Sequence, residues 1–197
     1  MNRRRSSVSP FRLPQWAIQL ARSRQAPFLS KESRMQFAIE LASTNVARGT
    51  GGPFGAAVFE RAGWRLVAVG MNLVESARCS HAHAEMVALA NAQQAVGRFD
   101  LSAPGFPTHE LVTSCEPCAM CYGAIPWAGI RSVLCGARAS DAEAIGFDEG
   151  AKPKNWVAEF KNRRITVVRD LCRKEAVAVL QEYKNGGGAI YGARKRS

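Results

Sequence analysis

Two short motifs constrain this chain more than any other feature of its sequence. One is His83-Ala-Glu85 and the other is Pro117-Cys-Ala-Met-Cys121, and each stands at the predicted start of a helix. Cys118 and Cys121 are three residues apart, so both sulfur atoms lie on one face of a helical turn and can reach one metal ion. The imidazole of His83 adds a third ligand of the kind that zinc accepts. We therefore predict that the chain holds a Zn²⁺ ion.

Three protein ligands are typical of catalytic zinc, which keeps a fourth position open, whereas structural zinc normally takes four. A water molecule in that position has its pKa lowered to about 7, which makes hydroxide available at neutral pH. Such a nucleophile needs a nearby acid–base group. Glu85, two residues after His83, is predicted to fill that role. The two motifs thus favour a zinc hydrolase over a structural zinc site.

Cys115 leaves an alternative open, because it extends the second motif to Cys-x-x-Cys-x-x-Cys. A fourth thiolate would make the zinc site structural, and an iron–sulfur cluster also fits three cysteines. However, Cys115 stands at the end of a predicted strand, which favours a core cysteine beneath the metal. His81 competes with His83 as a ligand, although only His83 has the His-x-Glu spacing.

The composition is that of a globular protein with one domain. The 197 residues are 47% hydrophobic and 22% charged, and no apolar run approaches the ~18 residues of a membrane span. The first thirty residues lack the long apolar segment of a secretory leader. We therefore expect a cytoplasmic protein with no membrane partner, whose six cysteines stay reduced.

The net charge of +11 is at first sight that of a nucleic-acid-binding protein. However, residues 1–30 carry six arginines and no acid, and Arg194, Lys195 and Arg196 lie near the other end. Removing these nine charges leaves +2 on residues 31–188. We therefore predict a small-molecule substrate rather than nucleic acid, and we expect residues 1–30 to be a basic, poorly ordered or extended lead-in.

Hydrophobic periodicity predicts an α/β protein, a three-layer α/β/α sandwich on a mixed five-stranded sheet. The predicted elements, in chain order, are helix 33–48, strands 55–60 and 65–71, helix 82–96, strand 109–114, helix 117–127, strand 131–136, helix 154–162, strand 165–168 and helix 172–184.

The chain resembles the cytidine deaminase-like superfamily over roughly residues 33–192, because His-x-Glu followed by Pro-Cys-x-x-Cys is the signature of its zinc deaminases. Within that superfamily it is most similar to the bacterial guanine deaminases. The segments that carry the resemblance are Gly51-Gly-Pro-Phe-Gly55, Gly70-Met-Asn72, His83-Ala-Glu85, Thr113-Ser-Cys-Glu-Pro-Cys118 and Ala144-Ile-Gly-Phe-Asp-Glu149. The resemblance implies a cytidine deaminase-like fold, a zinc deaminase domain over residues 31–185, and hydrolysis of guanine to xanthine and ammonia.

The resemblance also implies a role for individual residues. It makes His83, Cys118 and Cys121 the zinc ligands, Glu85 the principal proton shuttle and Glu149 a second catalytic acid. Two carboxyl groups suit the reaction because one can serve the ring while the other assists the departure of ammonia.

Further residues are expected to bind the substrate. By resemblance, Asn72 hydrogen-bonds the purine edge, and Ala84 and Trp127 lie near it. Taken alone, Asn72 would be a turn residue after a strand, Glu149 an ordinary surface acid and Trp127 a core residue.

The last segment, residues 186–197, begins with three glycines that predict a flexible hinge. In guanine deaminases the corresponding segment is exchanged between two subunits and closes over the partner's pocket. The resemblance therefore implies a homodimer, with Tyr191 as a lid residue.

Three rival functions stay open at this point. A tRNA adenosine deaminase of the same superfamily is the nearest, but here Ser140-Asp-Ala-Glu143 leads to Gly-Phe-Asp-Glu149 instead of the expected Asp-x-Lys-x-Gly-Ala run. Guanosine, cytosine or an amino-triazine would also suit a zinc deaminase. A zinc-stabilised binding module without turnover has no use for the carboxyl group of Glu85.

Overall fold

The computed structural model describes residues 11–192 of the chain. Every predicted helix and strand is present, and each observed end lies within two residues of the predicted one. The elements are α1 (Gln15–Ser23), α2 (Lys31–Ala47), β1 (Gly55–Glu60), β2 (Arg65–Met71), α3 (Ala84–Val96), β3 (His109–Cys115), α4 (Ala119–Trp127), β4 (Ser132–Ala137), α5 (Ala139–Ile145), α6 (Trp156–Asn162), β5 (Thr166–Val168) and α7 (Arg173–Asn185).

The strands form one mixed sheet in the order β2-β1-β3-β4-β5. Strand β1 pairs antiparallel with β2 and β3, whereas β3 with β4 and β4 with β5 are parallel pairs. Parallel neighbours need a crossover connection, which α4 supplies between β3 and β4 and α5 with α6 supply between β4 and β5. The predicted mixed five-stranded sheet is confirmed.

Alternate residues of β1 enter two separate cores, as expected of a strand covered on both faces. Ala57 and Phe59 belong to a core that includes α2 and α7. Ala56 and Val58 belong to a second core that includes α3, α4 and α6. All four residues are completely buried. Helices therefore cover both faces of the sheet, which confirms the predicted α/β/α sandwich.

Several strand ends meet at one edge of the sheet. The parallel strands β3 and β4 end there, at Cys115 and Ala137. Because β1 runs the other way, its first residue, Gly55, lies at the same edge, paired with Met71 at the end of β2. The loops that flank these four ends therefore converge on one region.

The prediction of a poorly ordered or extended lead-in is wrong over residues 15–23, which form α1; residues 1–10 lie outside the described part. Ala17 is completely buried, and Trp16 Nε1 donates to Thr50 Oγ1 at 3.3 Å. Trp16, Ala17 and Leu20 pack on the core that includes α2. These apolar residues lie in a helix of nine residues with arginines close to both of its ends, so the basic composition of residues 1–30 masks the helical spacing.

Helix α5 was also not predicted, because seven residues are too few to show a clear period. Its start is held by the Arg138 backbone N–H, which donates to Asp141 Oδ2 at 2.8 Å. Within residues 11–192, we find no helix of the length and apolar character that a bilayer span requires.

Candidate active site

The three predicted metal ligands lie together at this edge of the sheet. The Cys118 and Cys121 sulfur atoms are 3.5 and 3.7 Å from His83 Nδ1, and donor atoms from the three side chains lie within 4.8 Å of one another. His83 is the residue before α3 and Cys118 is the residue before α4. Two helix starts thus deliver one imidazole and two thiols to a single point.

This donor set fits zinc. One nitrogen and two sulfur ligands match the three protein ligands of a catalytic zinc site. The hydrogen bond with Cys121, supported by His83, lowers the pKa of Cys118 to about 4 despite its burial. A thiolate at neutral pH is the form that ligates a metal. The predicted Zn²⁺ cofactor is consistent with what this cluster can hold.

Cys115 and His81 do not join the cluster. Cys115 is 3% exposed, packs in the core that includes α2, and its sulfur lies 3.5 Å from the Arg138 carbonyl oxygen. His81 lies on the outer side, where Cys79 Sγ is 3.3 Å from its Nδ1. The interpretation of Cys115 as a core cysteine therefore agrees with the structure.

Two buried carboxyl groups stand beside the cluster. Glu85 lies in the first turn of α3, and its burial, together with the charge of Cys118, raises its pKa to about 7. Glu149 lies in the loop after α5, where burial, Cys118 and Glu85 raise its pKa to about 8. Within residues 11–192, Glu149 Oε2 has no hydrogen-bond partner. Both groups can therefore exchange protons near neutral pH.

A cavity of about 540 Å³ opens onto these groups. Its lining includes most of the residues predicted for the site, namely Asn72, His83, Ala84, Glu85, Cys118, Glu149 and Tyr191. The cavity also has an aromatic side that sequence reasoning missed. Phe54 and Phe147 line it with ring centroids 4.9 Å apart. Phe54 and Phe147 both belong to segments that carried the family resemblance, so that resemblance was the one feature of the sequence that pointed to them.

Asn72 is held by the glycine-rich turn before β1. Its backbone N–H donates to the Phe54 carbonyl oxygen, and its own carbonyl oxygen accepts from Asn45 Nδ2, both at 2.9 Å. A Cβ on Gly51 would lie 1.9 Å from the Asn72 carbonyl oxygen, so that position needs glycine. The Asn72 side chain is 2% exposed and lines the cavity, which places it where a ligand's edge can be bound.

Trp127 does not occupy the predicted place. It is 87% exposed at the end of α4, so the interpretation as a core residue is wrong. It is also not among the residues that line the cavity within this chain. The reason is its phase on α4: Cys121 and Ile125 face inward and are completely buried, whereas Met120, Gly123 and Trp127 share the exposed face.

The tail lies over the cavity of its own chain. The Tyr191 ring is 5.5 Å from that of Phe147, and its hydroxyl group is buried without a hydrogen-bond partner among the described residues. Tyr183 Oη donates to the Ala189 carbonyl oxygen at 2.8 Å and fastens the tail to α7. Tyr191 therefore lies where a lid residue was predicted, while exchange between subunits stays a prediction.

Comparisons with known proteins agree with this geometry. Residues 29–137 match the family model described as the cytidine and deoxycytidylate deaminase zinc-binding region. The guanine deaminase of Bacillus subtilis (strain 168) is 37% identical over 121 residues, which cover 61% of this chain and 73% of that protein.

Two solved structures are similar over most of the chain. Guanine deaminase from Nitrosomonas europaea is 48% identical with a TM-score of 0.84, over 88% of this chain and 94% of that one. The protein chain in a second solved structure, a complex with 2,6-diaminopurine, is also 48% identical, with a TM-score of 0.86, over 93% of this chain and 96% of that one. The match to the family model includes both zinc motifs and the strands that position them. The chain therefore belongs to the cytidine and deoxycytidylate deaminase family of zinc-binding proteins.

Proposed function

We propose that this protein hydrolyses guanine to xanthine and ammonia. The observation that carries the proposal is the convergence, at one cavity, of three side chains that can bind zinc with the buried carboxyl groups of Glu85 and Glu149. A structural zinc site needs neither an open ligand position nor free carboxyl groups beside it. The choice of guanine is supported by the similarity to guanine deaminases from two bacteria.

The residues of the site divide the reaction between them. Zinc, when bound by His83, Cys118 and Cys121, lowers the pKa of a coordinated water molecule and supplies the nucleophile. Glu85, whose pKa burial raises to about 7, would take a proton from the attacking water and deliver it to a ring nitrogen of the base. Glu149, whose pKa is raised by burial and by the charges of Cys118 and Glu85, can hold a proton and would donate it to the departing amino group. The oxygen of water forms a bond to the carbon that bears the amino group, and the carbon–nitrogen bond breaks to release ammonia. The second proton of that water returns to Glu149, so guanine and water become xanthine and ammonia.

The other side of the cavity suits a planar purine. Phe54 and Phe147 offer aromatic surface, against which a flat ring can pack. The Asn72 amide can donate and accept hydrogen bonds at once, which matches a purine edge with both kinds of group. We assign the purine-edge contact to Asn72, and the closing of the cavity to Tyr191.

A panel of amino-heterocycles tests the reaction. The zinc-loaded protein should release ammonia from guanine and form xanthine, which chromatography identifies. Guanosine, cytosine and amino-triazines test related small substrates, and an adenosine-containing tRNA anticodon stem tests the nucleic-acid rival. If the tRNA or another heterocycle reacts and guanine does not, the proposed substrate is wrong.

We further propose that the protein is a homodimer built on the exposed face of α4. Met120, Gly123 and Trp127 form an apolar stripe there. Apart from its own helix, no described atom lies within 4 Å of the Cβ position of Gly123, so a second helix can approach closely. Trp127→Glu should convert the dimer to a monomer, as light scattering after size exclusion measures. A monomeric wild-type protein would rule the interface out. The cytoplasmic location stays a prediction.

Exchange of the tail can be tested by complementation. One variant carries Glu85→Gln with an intact tail, and the other lacks residues 186–197 but keeps an intact site. If the tail covers the partner's cavity, co-expression of the two inactive variants restores activity in the mixed dimer. If the tail covers its own cavity, as in the single chain, the mixture stays inactive.

A further inference from the structure

The segment that carries Glu149, residues 148–152, lies between α5 and α6 and belongs to neither helix. Its backbone is tied to the start of α4, where the Ala119 N–H donates to the Glu149 carbonyl oxygen at 2.9 Å. A Cβ on Gly150 would lie 3.1 Å from the Ala119 methyl group, so the segment passes close to that helix. The place of the Glu149 carboxyl group therefore depends on how this segment is fastened.

Lys152 supplies a second fastening. Its Nζ donates to the Pro117 carbonyl oxygen at 2.8 Å and lies 3.8 Å from Glu116 Oε2, on the two residues that precede Cys118. Its side chain is 10% exposed and that of Glu116 is 4% exposed, so solvent screens this ion pair much less than a surface pair. One buried ammonium group thus joins the Glu149 segment to the loop that ends in a metal ligand.

The Lys152 side chain is itself held in place. Its Nζ lies 4.7 Å from the centroid of the Trp156 ring, which is buried in the core that includes α6. Arg169 Nε donates to Glu116 Oε1 at 2.5 Å, and the Ala139 N–H donates to Oε2 of the same carboxylate, so the partner of Lys152 is fixed as well. A fixed cation between fixed partners can define the position of a short segment.

We propose that Lys152 is a positioning residue, which holds the Glu149 carboxyl group against the start of α4. The inference about catalysis rests on the proposed function, whereas the fastening itself does not. Lys152 is not among the residues that line the cavity, so it acts through Glu149 and not on the substrate. Its charge also lowers the pKa of Glu149, against the larger effect of burial.

Lys152→Met tests this role, because it removes the ammonium group and keeps an unbranched apolar stem over Trp156. Zinc content should stay close to that of the wild type, while Tm should fall because Glu116 loses one cationic partner and keeps Arg169. We expect kcat for guanine to fall about 10–100-fold, the usual effect of losing a group that orients a site residue, with a much smaller change in KM. Lys152→Arg keeps the charge and should recover part of kcat. Lys154→Met, an exposed lysine on the same loop, is the matched control and should behave as wild type.

Hydrogen exchange gives a readout that does not depend on turnover. The Ala119 amide, which donates to Glu149, should exchange faster in Lys152→Met than in the wild type or in Lys154→Met, as NMR measures residue by residue. If guanine yields no ammonia with the wild-type protein, the proposed function fails while this comparison still tests the fastening. Unchanged exchange and kcat in Lys152→Met would overturn the inference, and so would loss of zinc or of the fold.

Discussion

The cavity has two walls that are built in different ways. The metal wall consists of His83, Glu85 and Cys118, with Cys121 behind them in the ligand cluster, and it is carried by the starts of α3 and α4. Both helices pack on the sheet through buried residues that belong to one core. A Cβ on Gly70 of β2 would lie 2.2 Å from the Ala84 carbonyl oxygen, which shows how closely α3 approaches the sheet. The metal wall is thus fixed by regular structure.

The tail wall consists of Phe147, Glu149 and Tyr191, none of which lies in a helix or strand. Ring contacts and a few hydrogen bonds hold it, such as Tyr183 Oη to the Ala189 carbonyl oxygen. Groups that bind a metal need fixed geometry, whereas a wall that admits a substrate has to open. Glu149 is the exception, because it is a proposed catalytic residue on the less regular wall. The hydrogen bond from the Ala119 N–H at the start of α4 fixes its position in place of regular structure.

The largest expected effect comes from the metal wall. Glu85→Gln keeps the shape of the side chain and leaves all three metal ligands, so zinc content should be unchanged. Turnover of guanine should fall by about 10²–10⁴-fold, because the amide cannot carry protons. Exposed Glu75→Gln is the matched control, and it should retain the wild-type rate. Steady-state ammonia release with metal analysis measures both, and a normal rate in Glu85→Gln would remove this residue from the chemistry.

An intermediate effect concerns Glu149 and separates function from stability. In the zinc-free protein its pKa is raised from 4.5 to about 8, mainly by burial. The folded state therefore binds a proton that the unfolded state has lost, and the free energy of unfolding falls as pH rises from about 4.5 to about 8. In Glu149→Gln the free energy of unfolding does not fall in this way, because an amide does not titrate. The variant should be more stable than the wild type above pH 8, by at most a few kcal/mol, and equally stable near pH 4.

Thermal or urea unfolding of the zinc-free proteins at both pH values measures this difference. The same variant, loaded with zinc, should lose most of its guanine turnover. A Glu149→Gln protein that is less stable than the wild type at high pH would mean that the carboxylate is well compensated where it lies.

The two walls also differ in how far the sequence predicted them. The metal wall follows from His83-Ala-Glu85 and Pro117-Cys-Ala-Met-Cys121, because a helix start fixes which neighbouring side chains point the same way. The tail wall depends on contacts between distant segments, such as Tyr191 with Phe147, which no local spacing encodes. Without the family resemblance, the sequence gives no reason to bring either residue to the site.

The fold also divides into elements that local periodicity predicts and features that depend on contacts between distant segments. Ten segments with clear periodicity were predicted to within two residues, whereas α1 and α5 were missed. Trp127 was placed wrongly because its burial depends on the phase of α4 against the sheet, and an apolar residue at the end of a helix can face either way. The role of Lys152 was also not visible, since its partner Pro117 is 35 residues away in the chain.

The smallest expected effect concerns the fastening of the tail wall. Tyr183→Phe removes the hydroxyl group that donates to the Ala189 carbonyl oxygen but keeps the ring beside Phe147. Losing one such hydrogen bond costs about 0.5–1.5 kcal/mol, so the open tail becomes about 2–10 times more populated. KM for guanine should rise by at most that factor, according to the fraction of closed tail that is lost, with kcat nearly constant because the metal wall is untouched. Tyr122→Phe, in the core that includes α6, is the control for hydroxyl removal. A fall in kcat at unchanged KM would instead make the tail wall part of the chemistry, and the contrast between the two walls would no longer hold.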